Sequence, residues 1–451
     1  MHIHILGICG TFMAGIALLA KQMGYKVTGS DLNVYPPMST QLEEAGIKLI
    51  EGYGATQLDS PPDEVVVGNV MTRGHDVIER MLDEQYTLIS GPQWLYQHIL
   101  KNRWVLAVSG THGKTSTSSM LAHILDEAGL NPGFLIGGIP NDFDVSARIG
   151  SGPFFVIEAD EYDTAFFDKR SKFMHYHPRT LIISNVEFDH ADIFRDLKDI
   201  QRQFHHLVKL IPQEGKIIFN GDDENISNIL QQGSWSNMES FGSSEQCYWH
   251  LNDFDKHKRP FKFSLKNDKQ YDCILNQIGK YNAMNAISAI AAARHAGVTV
   301  DQSMQALENF KGVKRRLENK GEHGGVTVYD DFAHHPTEIQ CTLEAFKEHN
   351  DKERMIVVFE PRSNTMRMGV HAGELKKALS LATELFVYGS EDLEWSLEQE
   401  LEGLSCRIFS DINQIVEGLL QTLRPDDNVL LLSNGGFDGL CAKLIARLDH
   451  G

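Results

Sequence analysis

Apolar residues in this chain follow two alternating rhythms, short unbroken runs and longer stretches in which they recur every three or four positions. The runs read as buried strands and the stretches as helices with one apolar face. His2–Leu6 is the first run. A turn through Gly7 and Gly10 leads to a helix striped by Met13, Ile16, Ala17 and Ala20, and the strand Tyr25–Thr28 follows. Strands at Glu64–Val67 and Thr87–Ile89 continue the alternation to Asn102-Arg103. A second series opens with the run Val105–Val108 and a helix carrying Met120, Leu121, Ile124, Leu125 and Ala128 on one face. Phe154–Ile157 and Thr180–Ile183 are further buried strands. Residues 215–275 read as short strands of a less regular region, and an alanine-rich helix starts after Gly279. A third series begins near Gly312, with strands at Val326–Tyr329, Met355–Phe359, Leu385–Val387 and Val429–Leu432. Helices at Pro336–Glu348, Glu374–Ala382 and Asn413–Leu423 and at the C-terminus separate and close them. Strand–helix alternation predicts parallel sheets covered by helices on both faces. The expected fold class is therefore α/β in three domains: 1–103 Rossmann-like, 104–311 a P-loop ATPase-type mononucleotide-binding domain, and 312–451 a second Rossmann-like, parallel and doubly wound unit.

Composition narrows the chemistry. A net charge of −19 opposes docking on nucleic acid or anionic lipid, so an anionic ligand must be held by local dipoles, metal ions and a few basic side chains. No apolar run approaches the roughly 18 residues of a membrane span. The strand beginning at His2 leaves no room for a signal peptide ahead of the fold. Six scattered cysteines without a C-x-x-C pair point to a reduced, cytoplasmic protein with neither a disulfide framework nor a zinc site.

The strongest chemical signal follows the strand at 105–108. Ser109-Gly110-Thr111-His112-Gly113-Lys114-Thr115-Ser116 is a glycine-bounded turn that opens a helix. Backbone N–H groups and the helix dipole there cradle an anion. Lys114 can reach the outer phosphates of ATP or GTP, and the Thr115 hydroxyl can ligate Mg²⁺. Val108 occupies the place of the usual first glycine of such P-loops. Two strands of the same series run into acidic ends, Glu158-Ala159-Asp160-Glu161 and Asn185-Val186-Glu187-Phe188-Asp189-His190. Strand ends in parallel sheets face the ligand crevice, so these carboxylates and His190 are candidate Mg²⁺ ligands. Asn282 and Asn285 share a helix face. They match adenine N6 and N7 in donor and acceptor, or Asn282 caps the helix start.

In the first domain, Gly7, Cys9, Gly10 and Thr11 form the turn, and Ser30-Asp31 ends the next strand, where an acid can grip a ribose or base. The dinucleotide fingerprint is broken by Cys9 and Phe12, which leaves NAD, another nucleotide or a purely structural turn open. In the third domain, polar loops follow three strands: Asp330-Asp331-Phe332-Ala333-His334-His335-Pro336, Glu360-Pro361-Arg362-Ser363-Asn364-Thr365 and Ser433-Asn434-Gly435-Gly436-Phe437. They suggest a second substrate pocket facing the nucleotide.

Taken in order, G-T-H-G-K-T (110–115), E-A-D-E (158–161), D-H (189–190), N-A-M-N-A (282–286), R-R (315–316) and D-D-F-A-H-H-P-T-E (330–338) resemble the motifs of the Mur ligase family across essentially the whole chain. The segments at 4–13, 33–40, 90–95, 167–173 and 360–366 resemble one branch. It joins L-alanyl-γ-D-glutamyl-meso-diaminopimelate, the murein tripeptide, to UDP-N-acetylmuramate in peptidoglycan recycling. Where the alanine-adding branch carries P-H-R-Y-T-R, this chain has Pro361-Arg362-Ser363-Asn364-Thr365-Met366. Two arginines that would clamp a small amino acid are thus replaced by Ser363 and Met366.

The resemblance implies an ADP-forming amide ligase working through an acyl phosphate. ATP is the co-substrate, two Mg²⁺ ions are expected, and no nucleic acid or membrane takes part. Lys114, Glu158, His190 and His334 are the implied catalytic residues, with Thr115, Glu158 and His190 on metal. ATP is assigned to residues 110–116, Asn282, Asn285, Arg316 and Asp331. The UDP moiety is assigned to Gly7, Cys9, Gly10, Thr11, Ser30 and Asp31, and the peptide to His334, His335, Arg362, Ser363 and Asn364. Tyr281 stands where the family usually has His, and Phe204 where several members carry a carbamylated lysine. The alternatives are UDP-N-acetylmuramate–L-alanine ligase and, from another class, an NAD-dependent oxidoreductase.

Overall fold

A computed structural model describes residues 1–34, 38–254, 260–266, 269–350, 354–390 and 392–450. Tyr35–Pro37 of the 33–40 segment lie outside the described residues. The first sheet has strand order 48–51, 26–31, 2–6, 64–67, 89–90, and every pairing is parallel. Helix Thr11–Gln22 packs on it through the expected stripe, with Met13, Ile16, Ala17 and Ala20 all buried.

The central sheet is larger than expected. Ten strands run in the order 270–273, 261–265, 249–253, 237–242, 216–220, 180–183, 104–109, 154–159, 133–135, 147–148. The short strands expected over 215–275 are present, and they are regular members of this sheet. Lys216–Asn220, Asn237–Gly242 and Trp249–Asp253 extend the parallel sheet, and Phe261–Leu265 and Gln270–Cys273 finish it as an antiparallel edge. Phe261, Phe263 and Leu265 alternate with Lys262 and Ser264, the period of a half-buried edge strand. Helices Lys114–Glu127 and Lys280–His295 lie side by side on one face, where the alanines of the second allow close approach.

The third sheet is not all parallel. Strands 326–331, 428–432, 355–359, 384–388 and 406–409 are parallel neighbours, but Glu318–His323 adds an antiparallel edge strand. Gly324 and Gly325, both at positive φ, make the two-residue turn joining it to Val326.

The domains are joined in two different ways. One continuous apolar cluster runs from Ile3, Ile5 and Leu19 through Trp94 to Ile157, Leu181 and Phe204, welding the first domain to the central sheet. The third domain keeps its own two clusters, on either face of its sheet. No helix among the described residues is long and apolar enough to cross a membrane.

Candidate active site

The strand Trp104–Ser109 sits between 154–159 and 180–183 at the middle of the central sheet, and its C-terminal end delivers the phosphate loop. Gly110 (φ +139) and Gly113 (φ +79) adopt conformations that L side chains rarely take. A Cβ at Gly110 would come within 3.1 Å of the Asn185 backbone, and one at Gly113 within 2.9 Å of Asn285 Oδ1. The neighbouring strand end holds the loop. Thr111 N–H donates to the Asn185 carbonyl (3.1 Å), His112 N–H to Asn185 Oδ1 (2.7 Å), and Glu187 N–H to Thr111 Oγ1 (2.8 Å). Lys114 Nζ donates to the carbonyls of Gly110 (2.6 Å) and Thr111 (3.2 Å) and lies 3.5 Å from Asp160 and 3.6 Å from Glu161. Burial works against its charge, but Glu161, Asp160, Glu158 and Asp189 outweigh that and hold the ammonium above its ordinary value.

The two acidic strand ends converge on this lysine. Burial and the nearby Asp160 raise the Glu158 carboxyl, which accepts from Thr115. Burial opposes ionisation of Glu161, yet Lys114 and His190 bring it down to about 2. His190 Nε2 lies 3.2 Å from Glu161 Oε1. Its own charge is opposed by burial and raised by Glu161 and Asp189. Glu158 Oε1 and Glu161 Oε2 are buried without a hydrogen-bond partner. Two orphaned carboxylate oxygens beside Thr115 and Lys114 are a hard-cation donor set. Phe204 is fully buried against Phe173, so that position contributes packing rather than a ligand.

A cleft opens between the phosphate-loop helix, helix 280–295 and the third domain. His112, Gly113, Ser116, Asn282, Asn285, Arg316 and Asp331 line it, together with Tyr281, Phe310 and Thr342. The first helical residue of 280–295 is preceded by Gly279, with no side-chain cap. Asn282 Nδ2 donates instead to the Ile278 carbonyl (2.8 Å), so capping by Asn282 is not what the structure shows. Burial pushes Asp331 up to about 6, and its carboxylate accepts from the N–H groups of Ala333 (2.7 Å) and Leu317 (2.6 Å).

Polar side chains tie the third domain to this centre. Arg316 Nη2 donates to Thr115 Oγ1 (3.2 Å), Thr337 Oγ1 to Glu187 Oε2 (2.7 Å), Thr365 Oγ1 to Asp189 Oδ1 (2.9 Å), and Asn364 Nδ2 to Asp192 Oδ2 (3.1 Å). The His112 ring lies 3.4 Å from both Glu187 of the central domain and Glu338 of the third. Burial opposes its charge, but those two carboxylates raise it to about 9, so the ring is an imidazolium clasp. His334 is lowered by burial, and its Nδ1 lies 3.2 Å from the Phe332 carbonyl. A carbonyl can only accept, so Nδ1 carries the proton and Nε2 keeps a lone pair. His335 Nδ1 accepts the Thr337 N–H at the start of helix 336–349 (3.2 Å), and burial, His112 and His371 bring it down to about 4.

A second cleft lies between the first and central domains. Gly7, Gly10, Thr11 and Phe12 line one wall and Glu158, Asp160, Tyr162 and Lys172 the other. Cys9, Ser30 and Asp31 support it from behind. Asp31 is buried, and its carboxylate accepts from the N–H groups of Cys9 (2.9 Å) and Asn33 (3.1 Å), pinning the glycine turn. Ser363 Oγ likewise serves locally, capping helix 364–367 through Met366 N–H (3.3 Å). Arg362 lies 3.6 Å from Glu360 and against Gly435. Glu161 belongs to the acidic strand end that the sequence marks, whereas Thr337, Thr365 and Lys172 are given no role by the sequence and acquire their partners only in the tertiary fold.

Comparison with known proteins places the chain. Residues 2–103 match the catalytic domain of the Mur ligase family, 108–293 the Mur ligase middle domain and 315–435 the Mur ligase glutamate ligase domain. The chain is 49% identical to the UDP-N-acetylmuramate–L-alanyl-γ-D-glutamyl-meso-2,6-diaminoheptandioate ligase of Escherichia coli, over 99% of this chain and 98% of that protein. A crystal structure of a murein peptide ligase from Psychrobacter arcticus superposes with a TM-score of 0.80 at 43% identity, covering 100% and 99% of the two chains. A UDP-N-acetylmuramate–alanine ligase from Thermotoga maritima shares the fold (TM-score 0.83, covering 99% of each chain) at 23% identity. The protein belongs to the Mur ligase family.

Proposed function

We propose that this protein is an ATP-dependent, ADP-forming amide ligase that joins L-alanyl-γ-D-glutamyl-meso-diaminopimelate to the carboxylate of UDP-N-acetylmuramate. It would act in the cytoplasm during peptidoglycan recycling, a setting compatible with its six free cysteines. Near-50% identity along the whole chain to a ligase named for that substrate pair carries the reading. The replacement of two clamp arginines by Ser363 and Met366 supports a peptide over alanine. In this reading residues 1–103 receive the UDP-sugar, 104–311 the ATP and 312–451 the peptide.

The chemistry asks the protein to bring a carboxylate onto a triphosphate inside an acidic chain. Lys114 sits where the γ-phosphate charge would lie, and the turn from Gly110 to Gly113 offers its N–H groups. Asn282 and Asn285 face the cleft where a base would rest, and Arg316, Asp331 and Ser116 border it. Thr115 and Glu158 are suited to hold one Mg²⁺ and His190, with Glu161, a second. Such ions supply charge neutralisation between the phosphates and the attacking carboxylate.

The acid oxygen attacks the γ-phosphorus and ADP leaves, forming an acyl phosphate. The tripeptide amine then attacks the acyl carbon and phosphate departs. His334, whose Nε2 keeps its lone pair, is the candidate to orient the amine or accept its proton. A free α-amine titrates near about 8, so a weak, neutral imidazole suffices. His335, Arg362 and Asn364 border the peptide side, with Ser363 acting through its helix cap.

The test is phosphate release with ATP, UDP-N-acetylmuramate and either tripeptide or L-alanine. Turnover with tripeptide exceeding that with alanine supports the reading. Equal or greater turnover with alanine replaces it with the alanine-adding activity.

A further inference from the structure

The segment 167–173 contains a buried cation that the chemistry above does not use. Asp163–Ala165 and Asp168–Ser171 form a small hairpin, and Lys172 opens the single turn that follows it, with its N–H pinned to the Tyr162 carbonyl (2.8 Å). The side chain is nine-tenths buried, yet Nζ makes no hydrogen bond to any described residue. Asp160 Oδ2 is 3.8 Å away, beyond hydrogen-bond reach, and the rings of Phe12 and Tyr162 stand 5.2 and 5.4 Å off. The stem is buried while the ammonium lines the cleft with no hydrogen-bond partner among the described residues, so its donors are free for a group that enters there.

Its position says what that would be. Among the described residues lining the cleft between the first and central domains, Lys172 is the one cation, facing Glu158 and Asp160. An anionic group entering there would meet two carboxylates and this ammonium. Asp160 lies between Lys114 (3.5 Å from Oδ1) and Lys172 (3.8 Å from Oδ2), so Lys172 marks the sugar-side end of a charge row whose other end is the phosphate loop.

We propose that Lys172 Nζ receives the carboxylate of the acid substrate and holds it beside the phosphate loop, fixing which end of the UDP-sugar points at the γ-phosphate. Phe12 and Tyr162 flank the ammonium where it lines the cleft. This rests on the reading of UDP-N-acetylmuramate as the acid substrate. Lys172 is here a substrate-binding and orienting residue, distinct from Lys114, which serves the nucleotide.

The test compares binding of UDP-N-acetylmuramate and UDP-N-acetylglucosamine, which lacks the lactyl carboxylate, to wild type, Lys172→Met and Lys172→Arg by calorimetry. Steady-state KM values for each substrate accompany it. Loss of a charge-assisted contact predicts about 10- to 100-fold weaker binding of UDP-N-acetylmuramate in Lys172→Met. UDP-N-acetylglucosamine binding and the KM for ATP should stay within about twofold, and Lys172→Arg should recover most of the loss. Equal weakening of both UDP-sugars, no weakening, or no recovery in Lys172→Arg overturns the proposal. Should Lys172→Met not fold, Lys172→Gln takes its place under the same criteria. If wild type itself binds the two UDP-sugars alike and forms no amide, the proposed function fails. If wild type discriminates and Lys172→Met discriminates just as well, only the role of Lys172 fails.

Discussion

Replacing His112 by Gln removes a charge that spans two domains, and pH reads its contribution. In the folded protein the imidazolium lies 3.4 Å from Glu187 and from Glu338 and titrates at about 9, against 6.5 when exposed. A folded value above the unfolded one means that the stabilisation is complete below pH 6.5 and disappears as pH rises through about 9. The shift corresponds to roughly 3 kcal/mol, and because Glu187 is 34% exposed and screened by solvent, about 2 kcal/mol is expected. Urea unfolding of wild type and His112→Gln, followed from pH 6 to 10, isolates the term, since the other titrating groups largely cancel in the difference. The gap between the two proteins should be widest at the acid end and shrink by about 2 kcal/mol by pH 10. Parallel curves across that range would show that the ring is not held as a cation between the two carboxylates.

Lys114→Ala should cut ADP formation by at least about 10³-fold with circular dichroism unchanged; near-normal turnover would remove the phosphate-loop assignment. Gly113→Ala places a Cβ 2.9 Å from Asn285 Oδ1 at φ +79, so it should cost about 1–2 kcal/mol in ATP binding or stability, read by nucleotide titration and thermal melting. His334→Gln should lower kcat by about 10²-fold, and the acid limb that neutral His334 imposes on kcat below pH 6.5 should vanish. Thr365→Val deletes the hydroxyl bound to Asp189 across the domain boundary and should raise the KM of the peptide more than that of ATP, measured in the same assay.

The elements legible in the sequence are those whose signal is local. The run at 105–108, its glycine turn and the helix after Lys114 are specified within a dozen residues, and Glu64–Val67 and Met355–Phe359 fall where the pattern puts them. The edge strand Glu318–His323 escaped because its residues are polar and partly exposed; only the Gly324-Gly325 turn announced it. The short strands of 215–275 were legible as strands, but not their place in the central sheet, since pairing with strands distant in the chain leaves no local signal. Site residues follow the same divide. E-A-D-E and D-H advertise themselves by clustering, whereas Thr337 and Thr365 are ordinary hydroxyls until the third domain docks on Glu187 and Asp189. Lys172 in a charged hairpin reads as a solvated surface lysine, and its burial depends on Phe12 from the first domain. Asp31 and Ser363 show the reverse, conspicuous residues whose side chains hold the backbone that forms the site.

The way the domains are joined bears on how the reaction is timed. A continuous apolar cluster fixes the first domain to the second, while hydroxyls, Arg316 and the His112 clasp secure the third. Polar interfaces of that kind open and close at modest cost, so in the proposed reading the third domain is the element that would move to admit the peptide.

The central claim is that the acid is phosphorylated at Lys114 before the amine reaches it. Turnover of UDP-N-acetylmuramate carrying ¹⁸O in its lactyl carboxylate, with ATP and the tripeptide, tests this in one mass spectrum. One labelled oxygen should appear in the released phosphate and one should remain in the amide product. Phosphate free of label would contradict the account.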